Sequence, residues 1–288
     1  MTDQTRSSSS APAAGRVSLE IAVTSLGGAQ TALAGGADRV ELCTALEIGG
    51  VTPSQGLTEA VVATGLPVHA LVRARGGDFV YDAADLDVME REVRTLVAAG
   101  AAGVVVGALR LDGSLDVDAV ARLATAAREA AAARSGDQGG DRVEVTVHRA
   151  VDRAASPVDA VAALATLGVD RVLTSGGASR AGDGLASGAL AAMVAASGGV
   201  EVMAGGGVRV DDVAALVAAG VAGVHLSAST TRPPRSEIGG ADAVGTADAP
   251  LVSLGSAGAS DAYAVTDASV VLAARAALDA AVGAVQAR

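Results

Sequence analysis

Short β-branched runs alternate with Ala- and Leu-rich stretches from one end of this chain to the other. The runs at 18–23, 39–43, 67–73, 103–107, 143–148, 171–175, 200–204 and 223–227 read as strands. Helical patterns lie between them, near 25–35, 54–64, 83–99, 116–133, 157–167, 187–197 and 210–219, and a last one covers about 267–286. Strand then helix, repeated eight times, predicts an α/β chain closed as a (β/α)8 TIM barrel. A finer repeat supports closure over an open doubly wound sheet. A Gly at a helix end, two residues and then a strand recur at Gly36–Arg39, Gly100–Gly103, Gly168–Arg171 and Gly220–Gly223. Each copy precedes an even-numbered strand, and each Gly suits the left-handed turn that ends a helix.

With 288 residues, the chain reads as one barrel domain over 17–288, after a disordered polar tail at 1–16. An irregular insertion is expected at 229–266, and 134–142 lengthens the loop before the fifth strand. The acidic stretch 236–262 is expected to be disordered. The first 15 residues carry no apolar core of a secretory signal, and no run reaches about 18 consecutive apolar residues. The expectation is a cytoplasmic protein without a membrane span.

Composition removes several chemistries. All 21 basic residues are Arg, so no Schiff-base Lys, pyridoxal-phosphate anchor or P-loop Lys exists. No organic cofactor is expected. The single Cys excludes an intramolecular disulfide or a multi-cysteine zinc site. A net charge of −11 argues against a nucleic-acid partner.

Alternation along the strands decides which side chains face the barrel axis. The apolar positions, such as Val40 and Leu42, Val68, Ala70 and Val72, or Val143, Val145 and Val147, belong against the helices. The inward set is then Glu20, Arg39, Glu41, Cys43, His69, Leu71, Arg73, Glu144, Thr146, His148, Glu201, His225 and Ser227. Even strands stack these in layers. Arg39, Gly103, Arg171 and Gly223 lie lowest, with Glu41, Val105, Leu173 and His225 above them. Cys43, Gly107, Ser175 and Ser227 stand at the mouth, where their small size predicts a cup. Ionised groups inside a barrel must be paired, so Arg39, Arg171, Glu20, Glu144 and Glu201 are expected to form a buried network.

Two loops carry sharper signals. Gly205-Gly206-Gly207 follows the seventh strand, where barrels bind phosphate through backbone N–H groups. After the third strand, Arg73 and Arg75 offer planar donors, and Asp78 is a candidate acid or base. Phe79 and Tyr81, two of the three aromatic residues, sit beside them as a small lid.

Six ordered motifs then combine: Gly35–Cys43, Glu47–Ser54, Arg73–Tyr81, Val147–Arg149, Arg171–Gly176 and Gly205–Arg209. Together they resemble the CutC copper-homeostasis family over about residues 18–229. The resemblance implies a cytosolic barrel, an oligomeric contact near the end of the eighth strand, so a homodimer or higher homo-oligomer, and copper as the candidate ion. The family's copper proposal pairs the cysteine matching Cys43 with one in the first strand. Here Ala22 and Val23 stand at that place, so Cys43 would need help from a His or Met, for instance His69, or from a second subunit.

Two readings follow, and the residues leave turnover open. In one, the protein binds copper through Cys43 and His69. In the other, a barrel enzyme acts on a small anionic or phosphorylated molecule. Glu41, His148 and Asp78 would then be catalytic, with Glu20, Arg73, Arg75, Ser175, Gly205, Gly206, Gly207 and Ser227 binding substrate.

Overall fold

The structure is a computed structural model and describes residues 17–135, 142–233 and 262–287. Eight parallel strands close into a barrel in chain order. They are β1 (Ser18–Val23), β2 (Arg39–Leu42), β3 (Val68–Leu71), β4 (Gly103–Val106), β5 (Glu144–Val147), β6 (Arg171–Thr174), β7 (Glu201–Ala204) and β8 (Gly223–Leu226). The helices between them are α1 (Leu26–Ala34), α2 (Gln55–Val62), α3 (Ala83–Ala98), α4 (Val117–Ser135), α5 (Pro157–Ala163), α6 (Ala181–Ala186), α7 (Ala189–Ala196) and α8 (Val213–Ala218). Helix α9 (Ala268–Gln286) closes the chain. The tail 1–16, most of 134–142 and the acidic segment 236–262 lie outside the described residues, apart from their margins.

Alternation predicted from sequence holds. Val40, Leu42, Val68, Ala70, Val145, Val147, Val224 and Leu226 are buried in the shell between strands and helices. Inside the barrel the apolar set is small, with Cys43, Leu71 and Val105 packed together and Leu46 against them. Leu173 and Met203 also face inward, and the remaining interior side chains are mostly polar.

The helix-ending glycines have the predicted conformation, with φ of 82° at Gly36, 103° at Gly100, 65° at Gly168 and 86° at Gly220. Two of the four copies extend into a half-barrel correspondence. Asp38 Oδ2 accepts the backbone N–H of Leu19, and Asp170 Oδ2 accepts that of Val145, both at 2.8 Å. The arginine that follows each aspartate turns inward. Arg39 pairs with Glu20 at 2.6 Å, and Arg171 pairs with Glu144 at 2.9 Å and Glu201 at 2.6 Å. Glu201 lies at the lower rim with its side chain half exposed.

Two expectations need correction. The segment 229–266 is not irregular at its ends: β9 (Ser229–Arg232) pairs antiparallel with β10 (Tyr263–Thr266). Thr-rich and β-branched residues on both sides make the pair, a signal hidden because 30 residues separate the two strands. The single helix expected at 187–197 is preceded by α6, which Gly182 and Gly184 disguise as loop.

Helix α9 buries Val271, Ala274, Leu278 and Ala281 against the barrel. Its mean hydropathy is 1.6 over 18 residues, long and apolar enough to cross a membrane by composition alone. Arg275 ties this helix to Asp38 at 3.0 Å, beside the β1–β2 pairing.

Candidate functional site

A cavity of about 270 Å³ opens among the C-terminal ends of the strands. Glu41, Leu71, Arg73, Leu173 and His225 come from the strands and their immediate extensions, and Phe79, His148, Arg149, Gly206, Gly207 and Ser227 complete it. The two non-glycine residues with positive φ among the described residues both flank this mouth. Ala45 (φ 52°) follows β2, and Ala228 (φ 41°) follows β8. Such left-handed alanines are strained, and strain of this kind gathers at functional sites.

The floor is a chain of charges. Arg39 Nε donates to Glu20 Oε2 at 2.6 Å, and His225 Nδ1 meets Glu20 Oε1 at 2.8 Å. Burial opposes ionisation of Glu20, but the Arg39 guanidinium and the His225 ring outweigh it and hold the carboxyl well below its ordinary range. Burial likewise opposes charge on His225, yet the Glu20 hydrogen bond and the Glu41 carboxyl lift its pKa. Glu41 differs from both: its Oε2 is buried with no hydrogen-bond partner. Burial, with Glu20 adding repulsion against the attraction of His225, raises its pKa to about 7.

His148 forms one wall. Its Nδ1 accepts the backbone N–H of Ala150 at 3.2 Å, capping the short 3₁₀ turn at Arg149–Arg153. The ring therefore carries its proton on Nε2, which is buried without a protein partner. Burial and the nearby Arg73 charge push the His148 pKa down to about 3, so the imidazole is neutral at physiological pH. Phe79 packs on this ring with centroids 4.9 Å apart, and the Arg73 guanidinium lies over Phe79 at 4.9 Å. Arg73 donates to the carbonyls of Ile48, Gly50 and Gly77, leaving its buried Nε unpartnered. One side chain thus ties together the loops after β2 and β3.

The opposite wall depends on Asp152. It accepts from the backbone N–H groups of Ser175 and Gly177, from the hydroxyls of Thr174 and Ser175, and from Arg149 Nε at 2.8 Å. Arg149 also donates to Ser175 Oγ at 2.8 Å and lies flat against Gly206. A Cβ at Gly206 would stand 2.5 Å from the guanidinium carbon. Gly206 and Gly207 have φ of 93° and 63°, two consecutive left-handed positions that only glycine adopts freely.

Sequence expectations distribute unevenly over this geometry. Glu41, Arg73, His148, Gly206, Gly207 and Ser227 line the cavity, and Glu20 lies beneath it. Ser175 is buried at the wall, bonded to Arg149 and Asp152. Gly205 sits behind the lining, where a Cβ would strike Leu173 at 2.4 Å. Arg75 and Asp78 are outside the cavity. They pair with each other at 3.0 Å, and Arg75 also meets Asp85 at 3.3 Å and Tyr81. Arg149, Asp152 and His225 complete the site. Arg149 and His225 were visible in the sequence only as a motif residue and an inward position, whereas Asp152 carried no signal.

Cys43 and His69 do not complete a soft-metal site. Cys43 is fully buried among Leu71, Val105 and Leu46. Burial pushes its thiol well above the usual range, with the Glu41 and Glu47 charges adding to the effect. His69 lies lower, 3.6 Å from Glu144, its pKa pushed down to about 3 by burial and then by Arg39. Copper(I) favours accessible thiolates, which this pair does not supply. Among the described residues, the one group of three or more ligand atoms mutually within 4.8 Å is Glu20, Glu41 and His225.

The CutC family model matches residues 17–230, the barrel through β8 and into β9. The chain belongs to the CutC family. A CutC family protein of Sinorhizobium medicae is 43% identical over 220 residues, covering 76% of this chain and 84% of that protein. One from Caulobacter vibrioides is 40% identical over 229 residues, covering 78% and 87%. The solved CutC structure from Streptococcus agalactiae, named for copper homeostasis, is 25% identical with a TM-score of 0.64. It covers 73% of this chain and 98% of that one. The shared span contains the whole CutC barrel and its mouth, and stops short of β10 and α9.

Proposed function

We propose that this CutC protein binds a small anionic metabolite, with a phosphate ester as the favoured class, and acts on it at the barrel mouth. One observation carries the reading. Glu41 Oε2, Arg73 Nε and His148 Nε2 are buried polar atoms without protein partners, and all three residues line one small cavity. Leaving such atoms unpaired costs about 1–3 kcal/mol each, so a polar occupant is the economical explanation. The phosphate is placed against the Gly206–Gly207 backbone, Arg149 and Ser227. In this reading the protein works in the cytosol as a homo-oligomer, without a nucleic-acid or membrane partner, and its net charge of −11 suits the absence of a nucleic-acid partner.

Isothermal calorimetry with glycerol 3-phosphate tests it. Binding is expected, and Arg149→Met is expected to weaken it about tenfold or more. No heat at millimolar ligand would overturn the reading. The family's copper association gives the competing outcome. Copper(I) competition is expected to give the same affinity for wild type and Cys43→Ser. Sub-micromolar binding lost on that substitution would favour copper.

A further inference from the structure

We propose that Glu41 and His148 are the proton acceptor and the carbonyl-polarising donor of an enolisation, which makes the ligand a small phosphate ester carrying a carbonyl group. The inference rests on the anion-binding reading above and assigns the chemistry at the other end of the same cavity.

Geometry sets the two roles. The Ala150 N–H bond fixes the His148 tautomer, so Nε2–H points to a cavity in which no protein group accepts it. A neutral imidazole N–H of this kind is a hydrogen-bond donor that polarises a carbonyl oxygen without protonating it. Glu41 makes no hydrogen bond among the described residues and presents a carboxyl to the same space. Its neighbours reinforce the role. Glu20 is consumed by Arg39 and His225, so it cannot share Glu41's proton; burial first, and the Glu20 charge after it, keep Glu41 basic for a carboxylate. A carboxyl with a pKa near the working pH is the form best suited to proton transfer. The cavity volume of about 270 Å³ suits a metabolite rather than a polymer or a large cofactor.

The step balances without an oxidant or a resident metal. In a ligand that also bears a hydroxyl on the carbon beside the carbonyl, ionised Glu41 takes the proton from that hydroxyl-bearing carbon. The C–H electron pair becomes the C=C bond of an enediolate, and the carbonyl π pair moves to oxygen, where His148 Nε2–H stabilises it. Return of the same proton from Glu41 to the neighbouring carbon, with exchange of the hydroxyl proton, completes an isomerisation.

The test compares two probes by calorimetry. Glycerol 3-phosphate offers only the phosphate, whereas 2-phosphoglycolate adds a planar carboxylate in the shape and charge of the enediolate. Wild type is expected to prefer 2-phosphoglycolate by about tenfold or more, as transition-state mimics do. His148→Gln is expected to abolish the preference, lowering 2-phosphoglycolate affinity by more than it lowers glycerol 3-phosphate affinity. The extra carboxylate faces Glu41, so the preference is expected to shrink from about pH 6 to about pH 8 as Glu41 ionises. Taking the ratio of the two affinities cancels the ionisation of the phosphate itself. Glu20, Arg39, His69 and His225 are the other charged or titratable groups facing Glu41, and Glu41→Gln separates them by flattening the profile. Equal affinity for the two probes, or a preference indifferent to both substitutions, overturns the enolisation while leaving the anion site standing. Failure of both probes to bind overturns the two together.

Discussion

Gly107 lies flat against the His148 ring: a Cβ built on Gly107 would stand 2.6 Å from the ring's Cε1. The absence of a side chain at the end of β4 is thus what lets the imidazole occupy its wall position. Gly107→Ala is expected to displace the ring, break the Ala150 N–H bond and cost about 1–3 kcal/mol, the usual range for overpacking. Urea denaturation measures the loss. Calorimetry is expected to show weaker 2-phosphoglycolate binding in the same variant.

Stability should fall on the acid side through two buried imidazoles. His148 and His69 titrate near 3 in the folded protein but near the ordinary 6.5 when unfolded. Between those values the unfolded chain binds more protons, so acidification through this window favours unfolding. Glu41 works in the opposite direction: its pKa rises from 4.5 to about 7 on folding, so its stabilising share is lost as pH rises through that interval. Thermal melts across this range should show a smaller acid-side drop for His148→Gln than for wild type. Glu41→Gln should soften the decline on the neutral side. Unchanged slopes would contradict both assignments.

Asp152 gathers five donors from two loops, and no other side chain described here accepts from as many groups. Asp152→Asn replaces one accepting oxygen by a donor facing donors. The expected cost is about 2–4 kcal/mol in chemical denaturation, with weakened phosphate-ester binding because Arg149 loses its anchor.

Cys43 should be chemically silent while the barrel is folded. Its burial and protonated thiol withhold the reactive thiolate, so alkylation with iodoacetamide near pH 8 is expected only after denaturation. Mass spectrometry of native and unfolded samples reads this directly. Rapid labelling of the native protein would show that the Leu71–Val105 cover opens.

The barrel was legible because its signal is periodic: two-residue alternation names the inner face, and the repeated glycines count the strands. That is why Glu41, His148 and Arg73 could be assigned to the inner face from the sequence alone. Loop side chains carry no such period. Arg75 and Asp78 are as polar as Arg73 and follow it in the same loop, yet the loop turns them outward to satisfy each other. Asp152 lies on a 3₁₀ turn after β5 but organises residues after β6, a relation set by the tertiary approach of two loops. Copper ligation illustrates a third limit, since an inward position for Cys43 does not reveal that Leu71, Val105 and Leu46 enclose it.

The β9–β10 pair has a consequence for how the chain tolerates change. Four residue pairs, from Ser229↔Thr266 to Arg232↔Tyr263, clasp the two ends of the long connection before it returns to α9. The entropy of closing a loop grows only with the logarithm of its length, about 0.6 kcal/mol per doubling. Lengthening or trimming the connection therefore leaves the barrel's energetics nearly untouched while the clasp is intact. A foreign segment inserted between the two clasping strands is therefore expected to leave the melting temperature of the barrel nearly unchanged.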